Sequence, residues 1–179
     1  MLVVAGSSLP QPMYLYTTMG STFIIRSPQS AAEWQAVRRL LTDYHNEFDD
    51  KTCFTSFESE MNNIEQLYAT PDKVKLIAQD ESTGDIAGCV ALRTIAPGVA
   101  EMKRLYVMPV YRGHKLGKLL AERIINTARE MGYASMVLDT MLEMKAARKL
   151  YEHLGFSVIP PYSDQKTRNV ICYGLTLNA

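Results

Sequence analysis

The chain has 179 residues, which suits one domain with a substantial buried core. Lys and Arg together number 19, as do Asp and Glu, so the formal net charge is zero. This balance argues against nucleic acid as the main partner, because phosphate-backbone binding depends on surplus basic charge.

No apolar run approaches the roughly 20 residues that a membrane-spanning helix needs. The three cysteines form neither a disulfide framework nor a metal pattern with the three histidines. We therefore expect a cytoplasmic protein without a bound metal.

The beginning of the chain is rich in residues that interrupt regular structure. Pro10, Pro12 and two glycines occur among clustered Ser and Thr residues. We therefore predict a flexible arm over residues 1–21 and a single folded domain over residues 22–179.

The predicted domain begins with a strand and two helices. Thr22–Ser27 is rich in β-favouring residues, and Ser30 with Glu33 forms a capping box that begins a helix. Apolar residues at helical spacing extend this helix to about Phe48. After an acidic connection, a second capping box at Thr55 opens another helix.

The later elements are predicted from strand alternation, helical spacing and turn residues. The predicted strands are 73–79, 85–93, 100–108, 134–140, 156–160 and 170–177, and the predicted helices are 116–131 and 145–154. The resulting order is β-α-α-β-β-β-α-β-α-β-β. It predicts an α+β fold in which about seven strands form a mixed, mostly antiparallel sheet flanked by about four helices.

One segment, Glu101–Gly117 (EMKRLYVMPVYRGHKLG), joins a predicted strand to a basic, glycine-bearing loop at the start of a long helix. A helix start binds phosphate well because its first N–H groups lack intrahelical partners and the helix dipole is positive there. Arg112, Lys115 and Lys118 add charge, and Gly113 lets a ligand approach the backbone. A Walker loop would need glycine at Arg112, and a dinucleotide fingerprint would need glycine at Lys115 and Lys118. We therefore predict an anionic, pyrophosphate-bearing cofactor bound by another kind of loop.

Two stretches resemble signatures of the GNAT family of N-acetyltransferases. Residues 105–117 (LYVMPVYRGHKLG) are similar to its acyl-CoA loop, and residues 147–156 (ARKLYEHLGF) are similar to a second signature at the usual distance. The resemblance covers roughly residues 23–177 and implies the GNAT fold. It implies a direct ternary-complex transfer of an acetyl group from acetyl-CoA to a primary amine of a small-molecule or amino-acid-like acceptor.

Two other functions agree with the same resemblance. One is a non-catalytic acyl-CoA-binding sensor or partner module, and the other is a transferase that uses a different acyl-CoA donor. Many family members dimerise through the last strands, which makes a homodimer one option for this chain.

The resemblance also implies which residues bind acetyl-CoA. The expected set is Leu105, Tyr106, Val107, Arg112, Gly113, His114, Lys115, Leu116, Gly117, Lys118, Met144 and Tyr151. Two of them depart from the family pattern. Lys115 stands where the family has a glycine, and Met144 stands where the family often has an asparagine that binds the pantetheine arm. Lys115 fits without strain in a first helical turn, whereas a positive φ there would alter the loop and weaken cofactor binding.

The resemblance implies two catalytic residues. Tyr151 stands where the family often has the tyrosine that protonates the departing CoA thiolate, and the alternative is a tyrosine of the core. Glu101 stands where the histone-modifying branch carries its glutamate base, and the alternative is a solvent-facing residue at a strand end. In the acidic connection Glu47–Phe54, Asp49 and Asp50 could meet an amine cation or form a solvated turn.

Overall fold

The computed structural model describes residues 13–18, 20–47, 57–162 and 169–177. The strands are β1 (Tyr14–Thr18), β2 (Ser21–Arg26), β3 (Lys73–Asp80), β4 (Ile86–Ala96), β5 (Val99–Val107), β6 (Ser135–Met141), β7 (Ser157–Ile159) and β8 (Val170–Thr176). The helices are α1 (Ala31–Asn46), α2 (Phe57–Asn62), α3 (Ile64–Leu67), α4 (Leu116–Glu130) and α5 (Lys145–His153). A short 3-10 turn, Pro109–Tyr111, separates β5 from the loop before α4.

The eight strands form one sheet in the order β1-β2-β3-β4-β5-β6-β8-β7. All neighbouring strands are antiparallel except β5 and β6, which are parallel and joined by the crossover helix α4. The predicted α+β fold with a mixed, mostly antiparallel sheet is confirmed, and the described residues contain eight strands and five helices instead of about seven and four.

Helices cover both faces of the sheet. Leu116, Leu120 and Ile124 of α4 pack with Val90 and Met102 of the sheet in the larger core cluster. On the opposite face, residues of α1 and α3 pack against alternate sheet residues in a second cluster. Its buried members are Trp34, Val37, Leu40, Leu41, Ile64, Ile77, Ile86, Cys89 and Tyr106. The side of the sheet covered by α1 and α3 also carries the polar side chains of the site described below.

The start of α1 agrees with the predicted capping box. The Ser30 side chain accepts a hydrogen bond from the Glu33 N–H, and the Glu33 carboxylate accepts one from the Gln29 N–H at 2.6 Å. Arg26 of β2 also forms an ion pair with Glu33 at 2.7 Å, which ties the helix start to the sheet.

Two details differ from the sequence-based expectation. Tyr14–Thr18 lies inside the predicted flexible arm, yet it forms β1 and pairs with β2 along its whole length. The second predicted helix is divided at Asn63 into α2 and α3. Its predicted cap, Thr55, lies outside the described residues. In the described ranges, no helix combines the length and apolar character needed to cross a membrane.

Candidate active site

A gap opens between the two parallel strands at the centre of the sheet. β5 and β6 pair only from Val99 opposite Ser135 to Glu101 opposite Val137. β5 remains paired with β4 as far as Val107. The side of β5 that faces β6 therefore presents backbone groups to the gap after Glu101.

A β-bulge accompanies the separation of the two strands. Lys103 pairs with Ala91 and Tyr106 pairs with Cys89, so Arg104 and Leu105 together oppose one residue of β4. Arg104 adopts a φ of 56°, which is unusual for a residue other than glycine. Its guanidinium forms an ion pair with Glu60 of α2 at 2.8 Å, and both side chains are buried. The bulge bends β5 and changes which side chains face the gap.

A narrow cavity occupies this gap. Its volume is about 70 Å³, room for a group the size of a few water molecules. The lining residues come from α1, β5, β6 and α5: Tyr44, Met102, Lys103, Arg104, Leu105, Asp139, Thr140, Met141, Met144, Ala147 and Tyr151. The structure thus brings together Leu105, Met144 and Tyr151 of the predicted site.

Tyr151 lies in this cavity with only 7% of its surface exposed. Its ring packs edge-on against Phe156 at 5.9 Å, which fixes the ring in place. Burial, with the nearby Tyr44 and Asp139, raises the pKa of the Tyr151 hydroxyl well above its ordinary value. The hydroxyl is therefore protonated at neutral pH and able to donate a proton.

Glu101 is buried beside the cavity but does not line it. Its carboxylate forms ion pairs with Arg93 and with Lys103, and it accepts a hydrogen bond from the Tyr162 hydroxyl at 2.8 Å. Burial alone would raise the pKa of Glu101, but Lys103 and Arg93 outweigh that effect and lower it. A carboxylate stabilised in its ionised form accepts a proton less readily.

A second carboxylate, Asp139 of β6, does line the cavity. Its Oδ1 lies 3.6 Å from the Lys103 Nζ and 3.3 Å from the Tyr162 hydroxyl. Its Oδ2 is buried and has no hydrogen-bond partner in the part of the chain that the structure describes. Asp139 is not among the residues predicted from the sequence, although a lone acid in the apolar strand ASMVLDT is a recognisable signal.

The predicted phosphate loop lies between β5 and α4. Lys115 precedes α4 with a φ of 58° and a ψ of 11°, the left-handed conformation. Its carbonyl accepts hydrogen bonds from the N–H groups of Lys118 and Leu119, so the helix begins directly after it. Of the two options left open by the sequence, the structure has the positive φ. Lys115 thus has a backbone conformation that glycine adopts without strain, and its side chain is exposed.

The loop has space for a ligand beside its backbone. Gly113 has a φ of 90°, and a Cβ added there would meet no atom within 4 Å. Leu116 points into the core with 1% exposure, and a Cβ on Gly117 would lie 3.8 Å from Val107. The loop therefore offers a well-packed helix start whose first N–H groups lack intrahelical partners, the usual setting for a bound phosphate.

Arg112 is held by the end of α1. Its guanidinium donates to both carboxylate oxygens of Glu47 at 2.7 and 2.9 Å, and its Nε donates to the Val107 carbonyl. The Tyr106 hydroxyl donates to the same Glu47 carboxylate at 2.5 Å. Burial and this hydrogen bond raise the pKa of Tyr106 above its ordinary value. The contact of Glu47 with the loop was not predicted from the sequence.

The other predicted cofactor residues have varied surroundings. The His114 ring packs edge-on against Phe23 at 6.3 Å, and its Nδ1 is buried without a hydrogen-bond partner in the described part of the chain. Lys118 lies 3.7 Å from Glu122 and 3.4 Å from His153. The Met144 sulfur accepts from the Thr140 hydroxyl. Asp49 and Asp50 lie outside the described residues.

The arrangement fits an extended anionic ligand. A phosphate-bearing end would meet the outward N–H groups of the loop, and a narrow arm would run along the unpaired edge of β5 to the cavity at Tyr151. Within the described ranges, no three His, Cys, Asp or Glu side chains are placed to hold a metal ion.

Comparisons with known proteins agree with this geometry. Residues 34–156 match the model of the acetyltransferase (GNAT) family. An uncharacterized N-acetyltransferase of Schizosaccharomyces pombe is 37% identical over 155 residues, which are 86% of this chain and 93% of the relative. The N-acetylaspartate synthetase of Xenopus tropicalis is 36% identical over 103 residues, 56% of this chain and 37% of that protein.

Solved structures show the same fold. The crystal structure of a GNAT-family acetyltransferase from Staphylococcus aureus Mu50 has a TM-score of 0.73 and 24% sequence identity. The match covers 87% of this chain and 99% of that one.

Proposed function

The chain belongs to the GNAT family of acetyltransferases, and from this premise we propose that it transfers an acetyl group from acetyl-CoA to a primary amine. The observation that carries the proposal is the gap between β5 and β6, which holds Tyr151 and borders the strand that leads into the phosphate loop. The acceptor is a small molecule or an amino-acid-like compound that attacks directly while both substrates are bound.

The loop before α4 supplies the proposed binding site for the pyrophosphate. A Cβ added at Gly113 would meet no atom within 4 Å, so a ligand can approach the backbone there, and Lys115 and Lys118 bring positive charge to the loop. Arg112 would join them by exchanging Glu47 for phosphate oxygens. His114 and Leu116 contribute backbone groups, since the His114 ring contacts Phe23 and Leu116 is buried.

The exposed edge of β5 supplies the proposed site for the pantetheine arm. Leu105 belongs to the bulge, and Tyr106 and Val107 follow it, on the stretch of β5 that lies beyond its pairing with β6. A ligand amide can pair with such an edge as another strand would. Met144 offers an apolar contact where an asparagine would offer an amide.

Acetyl-CoA supplies an activated acyl group as a thioester, and the protein positions it and moves protons. Tyr151 donates its hydroxyl proton to the departing sulfur, and the raised pKa of the buried hydroxyl ensures that this proton is present at neutral pH when the carbon–sulfur bond breaks. A backbone N–H of the β5 edge stabilises the negative charge that develops on the carbonyl oxygen. Glu101 acts on the acceptor indirectly, through its contacts with Lys103 and Tyr162.

Two features support an amino-acid-like acceptor. The name of the Xenopus tropicalis relative describes an enzyme that synthesises N-acetylaspartate, an amino-acid derivative. In this chain, both Lys103 and Asp139 face the cavity, so a zwitterion would find groups of both signs.

A thermal-shift titration with acetyl-CoA tests the donor. A ligand that binds only the folded protein raises its melting temperature, and about 100 times the dissociation constant stabilises it by roughly 2.7 kcal/mol. ATP and NAD at matched ionic strength are the controls for a general polyanion effect. A saturable shift that acetyl-CoA alone produces is the expected result, and no shift at millimolar acetyl-CoA would contradict the proposal.

A thiol-release assay then tests the transfer. We expect wild-type protein to release CoA only when a primary amine is present. Binding of acetyl-CoA without release for any amine would instead favour a non-catalytic acyl-CoA sensor. Faster release from propionyl- or succinyl-CoA would favour a different donor.

A further inference from the structure

The cavity contains one carboxylate oxygen whose hydrogen-bonding capacity is unused. Asp139 Oδ2 is buried, and no donor within the described residues contacts it. The Asp139 side chain as a whole is only 9% exposed. An acceptor atom that is removed from water without a partner costs free energy. Its presence next to Tyr151 in a cavity therefore calls for a ligand that donates a hydrogen bond.

The other oxygen of Asp139 is held weakly. Lys103 is 3.6 Å from Oδ1 and closer to Glu101, at 3.3 Å. The Tyr162 hydroxyl lies near both carboxylates, at 2.8 Å from Glu101 and 3.3 Å from Asp139. A phenol has one proton, and the shorter distance assigns its donation to Glu101. Asp139 is therefore the less compensated of the two carboxylates, and Glu101 is the one surrounded by donors.

The two strands place this oxygen on the side of the sheet opposite α4. Met136 and Leu138 of β6 belong to the core cluster that packs on α4, so alternation turns Asp139 to the other face. On β5, Met102 packs in the α4 cluster, so Lys103 shares the face of Asp139. Tyr44 of α1 and Tyr151 of α5 complete the cavity around it.

We propose that Asp139 Oδ2 binds the ammonium group of the acceptor and accepts its proton, which makes Asp139 the proton acceptor of the reaction. This inference rests on the proposed amine acetylation. Glu101 is then a positioning residue that holds Lys103 and Tyr162, and through them Asp139 Oδ1.

The proton balance of the step is complete. The ammonium loses one proton to Asp139 Oδ2, and the freed nitrogen lone pair forms a bond to the acetyl carbon. The carbon–sulfur bond breaks, and the sulfur takes the Tyr151 hydroxyl proton. The second proton lost by nitrogen restores the Tyr151 hydroxyl, and the proton on Asp139 leaves to solvent. The products are the N-acetylated amine, free CoA and one proton.

The test begins with wild-type protein, acetyl-CoA and a panel of primary amines: the proteinogenic amino acids, tyramine, spermidine and n-butylamine. CoA release identifies an accepted amine. The Asp139→Asn variant keeps an oxygen for Lys103 but replaces Oδ2 by an N–H donor that repels an ammonium. We expect kcat/KM for that amine to fall by about 100-fold or more, the usual size of a general-base effect. The thermal shift with acetyl-CoA should stay unchanged.

Two further measurements separate proton acceptance from a structural role. Calorimetric titration of the accepted amine into the CoA-bound protein should show weaker binding to Asp139→Asn, with no turnover involved. In Asp139→Ala, added formate should restore part of the CoA release, because it supplies a carboxylate in the space left by the side chain. Glu143→Gln removes an exposed carboxylate four residues away and is the matched control.

The outcomes distinguish the two proposals. If wild-type protein acetylates none of the amines, the proposed function fails, and the role of Asp139 fails with it. If wild-type protein acetylates an amine and Asp139→Asn does so at a similar rate, only the role of Asp139 is overturned. If an Asp139 variant melts at a lower temperature but binds acetyl-CoA normally, and formate gives no rescue, the side chain is structural and the inference is wrong.

Discussion

Removal of the Glu47 charge should tighten the binding of acetyl-CoA. Arg112 is bound to Glu47 through two hydrogen bonds, so it has to leave that carboxylate before it can bind a phosphate. Glu47→Gln removes the competing charge and still offers an oxygen to the Tyr106 hydroxyl, which now donates to Glu47.

The expected size follows from the exposure of the pair. The side chains of Arg112 and Glu47 are 50% and 29% exposed, so solvent screens their attraction. Ion pairs of this kind contribute about 0.2–1 kcal/mol, which corresponds to about a 1.4- to 5-fold lower dissociation constant for acetyl-CoA when the pair is removed. Calorimetric titration at low and high salt measures the effect, and the gain should shrink at high salt because the wild-type pair is already weakened there.

A double-mutant cycle identifies the cause. Glu143→Gln changes the net charge equally at an exposed site and measures the long-range effect of one lost negative charge. In an Arg112→Gln background, Glu47→Gln should no longer improve affinity, since the competing partner is absent. Equal gains from Glu47→Gln with and without Arg112 would show that competition for the Arg112 guanidinium does not limit acetyl-CoA binding.

Three other predictions follow from single residues. Tyr151→Phe should keep the melting temperature and acetyl-CoA affinity but lower kcat by about 100-fold or more, as loss of a general acid does; unchanged CoA release would contradict its role. Lys115→Gly should stabilise the fold by about 0.5–1 kcal/mol, because glycine removes the strain of the positive φ at some entropic cost. Thermal unfolding checks this, and a lower melting temperature would contradict it. The lowered pKa of Glu101 means that its contribution to stability is present above its unfolded value of 4.5 and is lost as pH falls through the folded value. The urea midpoint should therefore decline below about pH 4.5, and less steeply in Glu101→Gln; equal slopes would contradict this assignment.

The order of strands and helices was predictable because its signals are local. Alternation, helical spacing and the Ser30 capping box act within a few residues, and the structure contains each of the predicted strands. β1 was missed because it lies at the edge of the sheet and is half exposed, with Leu15 at 63% exposure. In addition, the residues around it have a composition typical of loops, so its pairing with β2 was not evident from the sequence. The helix division at Asn63 was missed because apolar residues continue across it.

The polar part of the site was less predictable because it assembles from distant segments. Lys103 of β5 and Asp139 of β6 lie two residues beyond the last pair of the two strands, and Tyr162 reaches Asp139 from the segment after β7. No local pattern in the sequence records that these three residues are neighbours. The surroundings of Glu101 were equally hidden in the sequence. Glu101 matches a family position, but its ion pairs with Arg93 and Lys103, which distinguish it from Asp139, are evident only in the folded structure.

Backbone strain marks the same segment independently of any motif. In the described part of the chain, Arg104 and Lys115 are the two residues other than glycine with a positive φ. Each conformation costs about 1–3 kcal/mol, a large share of the roughly 5–15 kcal/mol that keeps a domain folded. One lies at the bulge beside the cavity and the other at the start of α4, so they bracket the stretch proposed to bind the donor from its acetyl group to its pyrophosphate. Strain at both ends of one binding segment, fixed by the Glu60 ion pair at one end and the buried Leu116 at the other, is expected where the backbone itself is the ligand-binding group.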